Sequence, residues 1–171
     1  WLPTIAMGAF EKRHLELLVA RDAGGPFRRD DDWTYTTQAT GTDFSSAQMF
    51  DVKMGGIHLM AADFDESLLV RVDMSGAALS GATFRNAVLA DVKFDGAELK
   101  AVDFDGVVTD RADFIAHLGE VAASFVMDRY SIAPVSRADL TAHPRTFELW
   151  LTDWPEDRQL YRVTRTKPFI E

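Results

Sequence analysis

Residues 62–104 read ADFDESLLVRVDMSGAALSGATFRNAVLADVKFDGAELKAVDF, and every fifth residue from Phe64 to Phe104 is Phe, Leu or Met. The frame extends both ways. Stepping by five gives Phe44, Met49, Met54, Leu59, Phe64, Leu69, Met74, Leu79, Phe84, Leu89, Phe94, Leu99, Phe104, Thr109 and Phe114. Fourteen of these fifteen positions carry residue types that make up only 33 of the 171 residues, so chance placement on one frame is excluded. Two residues ahead of each lies a smaller one, mostly Ala or Val, as at Ala62, Val72, Ala82, Val92 and Val102. A large and a small residue, two apart and recurring every five, match neither a helix period of 3.6 nor a strand period of two. They match a very short strand followed by a turn, repeated.

With fragments such as ADF at 62–64, VDF at 102–104 and ADF at 112–114, this spacing resembles the pentapeptide-repeat family over residues 42–115. The resemblance implies a mainly β fold, a right-handed quadrilateral β-helix of just under four coils. Four repeats would make one square coil of about 20 residues, with the large and small residues inside. Positions 20 apart must then stack, and the sequence obeys. Phe44, Phe64, Phe84 and Phe104 form one column, Leu59, Leu79 and Leu99 a second, and Met54, Met74, Phe94 and Phe114 a third. Outside, Gly56, Gly76 and Gly96 form a column where a corner needs positive φ or close backbone approach. Asp51, Arg71, Asp91 and Arg111 alternate in sign, as do Lys53, Asp73, Lys93 and Asp113. Stacked about 4.8 Å apart, each charge meets opposite neighbours. Exposed pairs contribute about 0.2–1 kcal/mol each, so the ladders set register while the apolar columns supply stability.

Three segments follow: an N-terminal cap over 1–39, the repeat array over 40–115 and a C-terminal cap over 116–171. In the first, Phe10, His14, Leu17 and Leu18 have helical spacing and Gly24-Gly25-Pro26 ends the pattern, with an incoming strand expected near Trp33 and Tyr35. After the array, Phe114, Leu118, Val121, Ala122 and Phe125 recur at helical spacing, so the last repeat doubles as the first turn of a helix capped by Asp110 or Asp113. Beyond Pro134, the alternation of Phe147, Leu149 and Leu151, then Tyr161 and Val163, around Trp154-Pro155, predicts a β-hairpin. Its aromatics either cover the last coil or form an interface, for which Trp150 and Trp154 are the candidates.

The chain lacks cysteine, which removes disulfides, thiol nucleophiles and thiolate metal sites. No run approaches the roughly 18 apolar residues of a membrane span. The first residue is Trp1 rather than Met, which leaves an upstream signal or anchor open; cytoplasm is the favoured compartment. The histidines His14, His58, His117 and His143 sit in no ligand motif, and no nucleophile elbow, phosphate loop or zinc signature is present. The reading is therefore no catalytic, cofactor or metal residues, no enzyme, and no direct nucleic-acid binding for a chain of formal charge −9. Residues 40–115 hold 13 acidic and 6 basic residues, and Asp43, Asp63 and Asp103 flank the Phe column on one side, with Asp65 and Asp105 on the other.

Two functions remain. The first is a scaffold that presents a face or cap to a protein partner, as a subunit of a larger assembly, with a homodimer through the C-terminal cap open. The second comes from the resemblance, since some family members are acidic DNA mimics that bind a type II topoisomerase such as DNA gyrase. Against it, fewer than four coils span only about 18 Å, or about 5 base pairs.

Overall fold

Every fifth residue from Gly41 to Gly106 has a positive φ, between 54° and 82°. Six of these corner positions are glycine, and the others are Ser46, Asp51, Ala61, Glu66, Arg71, Asn86, Asp91 and Ala101. At most corners the small-residue amide donates to the large-residue carbonyl three positions earlier, as from Ala87 to Phe84 (3.1 Å) and from Ala82 to Leu79 (2.8 Å). A positive φ at the third residue of such a turn is the geometry that turns a strand sharply. Five-residue periodicity is thus a strand, a corner and a new direction. The glycine column was legible as a signal; the corners filled by Asp, Glu and Arg were not.

These corners appear in a computed structural model that describes residues 40–150, 154–155 and 158–167, without the side chains of Pro144, Phe147 and Trp150. The expected N-terminal helix and incoming strand lie outside the described residues.

Four sides recur at intervals of 20 residues. The first carries the bridges Asp43–Asp63, Asp63–Thr83 and Thr83–Asp103. The second is a regular parallel sheet of β1 (Gln48–Phe50), β2 (Leu68–Val70), β3 (Val88–Ala90) and β4 (Val108–Thr109). Lys53, Asp73 and Lys93 bridge on the third side, and His58, Ala78 and Glu98 on the fourth. Inside, Phe44, Phe64 and Phe84 stack face to face with centroids 4.9 Å apart, and Phe104 continues the column at 5.4 Å. Leu59, Leu79, Met54 and Met74 are fully buried and Leu99 is 8% exposed. Of the buried polar residues on the inward frame, Ser67 donates its hydroxyl to the Phe64 carbonyl (2.6 Å) and Thr109 to the Leu89 carbonyl (2.7 Å), whereas the Thr42 hydroxyl, in the first coil, has no partner among the described residues.

The chain leaves the stack through α1 (Arg111–Ala116), capped by the Asp110 carboxylate, which accepts from the Asp113 amide at 3.1 Å. Phe114 still completes the Met54–Met74–Phe94 column, now from a helix, edge to face with Phe94 at 6.4 Å. Gly119, at φ 83°, separates α1 from α2 (Glu120–Arg129), so the expected single helix is two.

The predicted hairpin is corrected. Strand β6 (Leu160–Arg165) exists, but its antiparallel partner is β5 (Tyr130–Val135), and between them lie α3 (Arg137–Leu140) and α4 (Pro144–Trp150). Residues 147–150 are helical because Pro144 opens a helix well, lacking an N–H that the first turn leaves unpaired anyway, and because Arg145 and Glu148 pair one turn apart at 2.7 Å. Pro134, which reads as a strand breaker, is tolerated because β5 is the outermost strand of the order β1-β2-β3-β4-β6-β5.

Because β6 pairs with β4, the C-terminal segment also runs along the second side and covers it. The outward residues Phe50, Leu68, Val70, Val88, Ala90 and Val108 are buried against Leu140, Leu149, Trp154 and Leu160. The second side is therefore apolar on both faces, unlike the other three.

Candidate interaction site

The first side gathers all five candidate acidic residues, and each already accepts at least one hydrogen bond within the chain. Asp43 accepts from the Ser45 amide (2.9 Å) and hydroxyl (2.5 Å), and these hydrogen bonds hold its carboxyl below the usual range. Asp63 accepts from the Asp65 amide at 2.8 Å, and Asp103 from the Asp105 amide at 2.9 Å. A carboxylate two residues before a turn amide is a local cap for the corner, which accounts for Asp at these positions without a partner. Asp65 accepts from the Arg85 amide (2.9 Å) and Nε (3.2 Å) and raises the Arg85 pKa. Asp103 is only 5% exposed, with Arg165 at 3.6 Å and Arg85 at 3.9 Å, and Asp105 accepts from the Arg165 amide at 2.9 Å. The face is acidic by sequence and substantially neutralised in space.

Of the two candidate cap residues, Trp154 is 6% exposed, with the Arg158 guanidinium 4.1 Å above its ring, and sits among the apolar residues over the second side. It is held inside this chain. The Trp150 side chain lies outside the described residues.

On the third side the expected charge ladder forms a real pair where Arg71 Nε meets Asp51 Oδ1 at 2.6 Å; that hydrogen bond lowers the Asp51 pKa. Further down, Asp113 accepts from the Asp91 amide (3.0 Å), and His117 lies 3.4 Å from Asp113 and 3.6 Å from Asp95. Burial, then the negative charge of Asp91, pushes the Asp113 carboxyl up. Elsewhere, His58 bridges Ala78 on the fourth side, and burial lowers the pKa of His143, whose Nδ1 accepts from the Thr146 amide at 3.3 Å. Among the described residues no three His, Asp or Glu side chains are grouped to hold a metal ion. No described helix is long and apolar enough to cross a membrane.

What sequence reasoning missed is a recess of about 530 Å³ at the end of the fourth side, between Ala97 and Leu99 of the last coil and Leu118, Ala122 and Phe125 of α2 and the turn before it. Val121, at its lip, is 86% exposed. The helical stripe Leu118, Val121, Ala122 and Phe125 was visible, but that its one end overhangs the stack was not.

Residues 67–106 match the family model described as pentapeptide repeats, in 8 copies. No curated protein sequence matches the chain. Among solved structures, it is similar to the pentapeptide repeat protein Rfr23 from the cyanobacterium Cyanothece 51142, at 22% identity over 45% of this chain and 52% of that one, with a TM-score of 0.43. It is also similar to HetL, a pentapeptide repeat protein involved in heterocyst differentiation regulation in the cyanobacterium Nostoc sp. strain PCC 7120, at 23% identity over 42% of this chain and 35% of that one (TM-score 0.33). A third likeness is to QnrB1, a plasmid-mediated fluoroquinolone resistance protein, at 18% identity over 36% and 35% (TM-score 0.23). The chain thus spans about half of the first of these proteins and about a third of the other two.

Proposed function

We propose, from the premise that residues 67–106 are pentapeptide repeats, that the chain is a non-catalytic protein–protein interaction module, built on a right-handed quadrilateral β-helix of just under four coils. The observation that carries this reading is the unequal treatment of the sides. One side is sheathed by the chain's own α3, α4 and β6, while the first and third present columns of charged residues on a frame whose core is stacked Phe, Leu and Met. A frame fixed by hydrogen bonds at every coil holds surface groups at set spacings, which lowers the ordering cost of binding. The segments 1–39 and 116–171 flank the coils in this reading, and the partner is a protein.

The alternative, an acidic DNA mimic bound to a type II topoisomerase, draws support from the 13 acidic residues of the coils. Arg85 and Arg165 beside Asp65, Asp103 and Asp105 weigh against it, since a phosphate mimic needs its charges unpaired toward the partner.

Capture from a native extract of the source at low and moderate salt separates the two. The module reading expects a salt-resistant protein partner. Retention of a topoisomerase that falls away as salt rises, and is abolished by Asp43→Asn with Asp63→Asn, would replace it with the mimic.

A further inference from the structure

Three sides of the last coil are closed by the chain itself. On the first, the Phe104 amide donates to the Tyr130 hydroxyl (3.2 Å) and the Gly106 amide to the Val163 carbonyl (2.7 Å). On the second, β6 pairs with β4. On the third, the Phe94 amide donates to the His117 carbonyl at 2.8 Å. The fourth side differs. In the coils above, the Leu59 and Leu79 amides donate to the Ala78 and Glu98 carbonyls, and those of Ala61 and Gly81 to Ser80 and Lys100. The next amides in these columns, Leu99 and Ala101, have no acceptor among the described residues; neither has Gly96, and the Ala97 carbonyl has no donor. Stacking would bring the Leu118 carbonyl to Leu99, but Gly119 turns the chain into α2 at that point.

This edge borders the recess walled by Leu99, Leu118, Ala122 and Phe125. Unpaired N–H groups beside an apolar trough form a template for one more strand. The geometry points to a strand-addition site on the fourth side, taking an extended segment of a partner protein with apolar residues at alternate positions and Lys or Arg among them. This rests on the interaction-module reading and names its partner's chemistry. About six residues, at about 3.3 Å each, run the edge from Gly96 to Ala101. Carbonyls two residues apart accept from Leu99 and Ala101, one amide donates to Ala97, and an apolar side chain enters the trough. The basic residues follow from charge: exposed Glu98 and Glu120 face Lys100 on the rim, the half-exposed Asp95 adjoins Gly96, and the chain carries −9 overall. The same charges oppose a second copy, which would bring this rim, net negative with Asp95, Glu98 and Glu120 against Lys100, onto itself.

The test pans a displayed library of random dodecapeptides on the whole chain, then adds the selected peptides to isotope-labelled protein and follows amide exchange. The Gly96, Leu99 and Ala101 amides are expected to exchange rapidly in the free protein and to slow at least tenfold with peptide, the selected sequences alternating apolar residues with Lys or Arg. Val121→Asp, at an exposed lip position, should weaken binding at least tenfold while exchange at Phe84 stays unchanged. Peptides that bind without protecting these three amides, or a library that yields no binder, overturn the site. So does protection that rises with protein concentration alone, which assigns the edge to a second copy. Each of these leaves the interaction-module reading to the extract capture, whose failure to retain any protein would sink that reading separately.

Discussion

Gly106 and Gly76 occupy equivalent corners with different demands. Both have positive φ, 82° and 70°, but a Cβ at Gly106 would collide with the Asn86 side chain stacked above it, whereas at Gly76 the nearest atom is the Gly56 amide at 4.0 Å. Gly106→Ala should therefore cost about 1–3 kcal/mol, and Gly76→Asn less than about 1 kcal/mol, since Asn86 itself holds such a corner at φ 58°. Urea midpoints of the two variants check the order. Asp110 carries a second residue-scale prediction. Burial raises its pKa, but the hydrogen bond from Arg158 (2.6 Å) and the Asp113 amide lower it further, so the folded value lies below the ordinary carboxylate range. Its stabilisation is complete above that ordinary range and is lost as pH falls through the folded value. Asp110→Asn should keep the helix cap, lose about 1–3 kcal/mol at neutral pH with the charge-assisted bond, and flatten the acid limb of stability against pH.

At the scale of elements, each coil is held by its neighbours, so damage is greatest in the middle. Phe84 has a ring above at 4.9 Å, a ring below at 5.4 Å and Phe94 edge-on at 5.7 Å, and is fully buried. Phe84→Ala should cost about 3–5 kcal/mol, whereas Phe84→Leu, which keeps most of the volume, should cost appreciably less. Chemical denaturation of both variants tests whether the column is a packed core or merely a filled one. The closing hydroxyl of Tyr130 behaves as an element of the stack: it accepts from Phe104 and donates to the Val102 carbonyl at 3.1 Å, and burial raises its pKa. Tyr130→Phe leaves two buried backbone groups unpaired and should cost about 1–3 kcal/mol.

For the whole molecule, the C-terminal segment is a sheath as well as a cap. Deleting residues 137–171 removes α3, α4 and β6, opens the free edge of β4 and uncovers Phe50, Leu68, Val70, Val88, Ala90 and Val108 together. The truncated chain should bind a hydrophobic dye and self-associate with concentration, both measurable by fluorescence and light scattering. Monomeric, dye-silent behaviour would mean that the second side tolerates water and that the sheath is dispensable.

The sequence by itself determined the coil. A five-residue period leaves one arrangement in which fourteen large apolar residues point inward, and a coil of four repeats then fixes which residues stack, from the Phe column to the Asp51–Arg71 pair. It also held a clue to the sheath, since outward positions around Met49, Leu69 and Leu89 are apolar at Phe50, Leu68, Val70, Val88 and Ala90, where the first and third sides carry charge. The non-repeating C-terminus was less legible. Alternation at Phe147 and Leu149 suits strand and helix alike, and only the surface available decided for α4, with β5 and not residues 147–150 beside β6. The candidate site divides in the same way. Acidic residues could be counted along the chain, but which were consumed by turn amides and by Arg85 and Arg165 depended on residues brought together across coils and from the distant β6. The edge at Leu99 and Ala101 had no sequence signal, because whether an amide is paired depends on what the fold places opposite it, and among the described residues nothing is placed there.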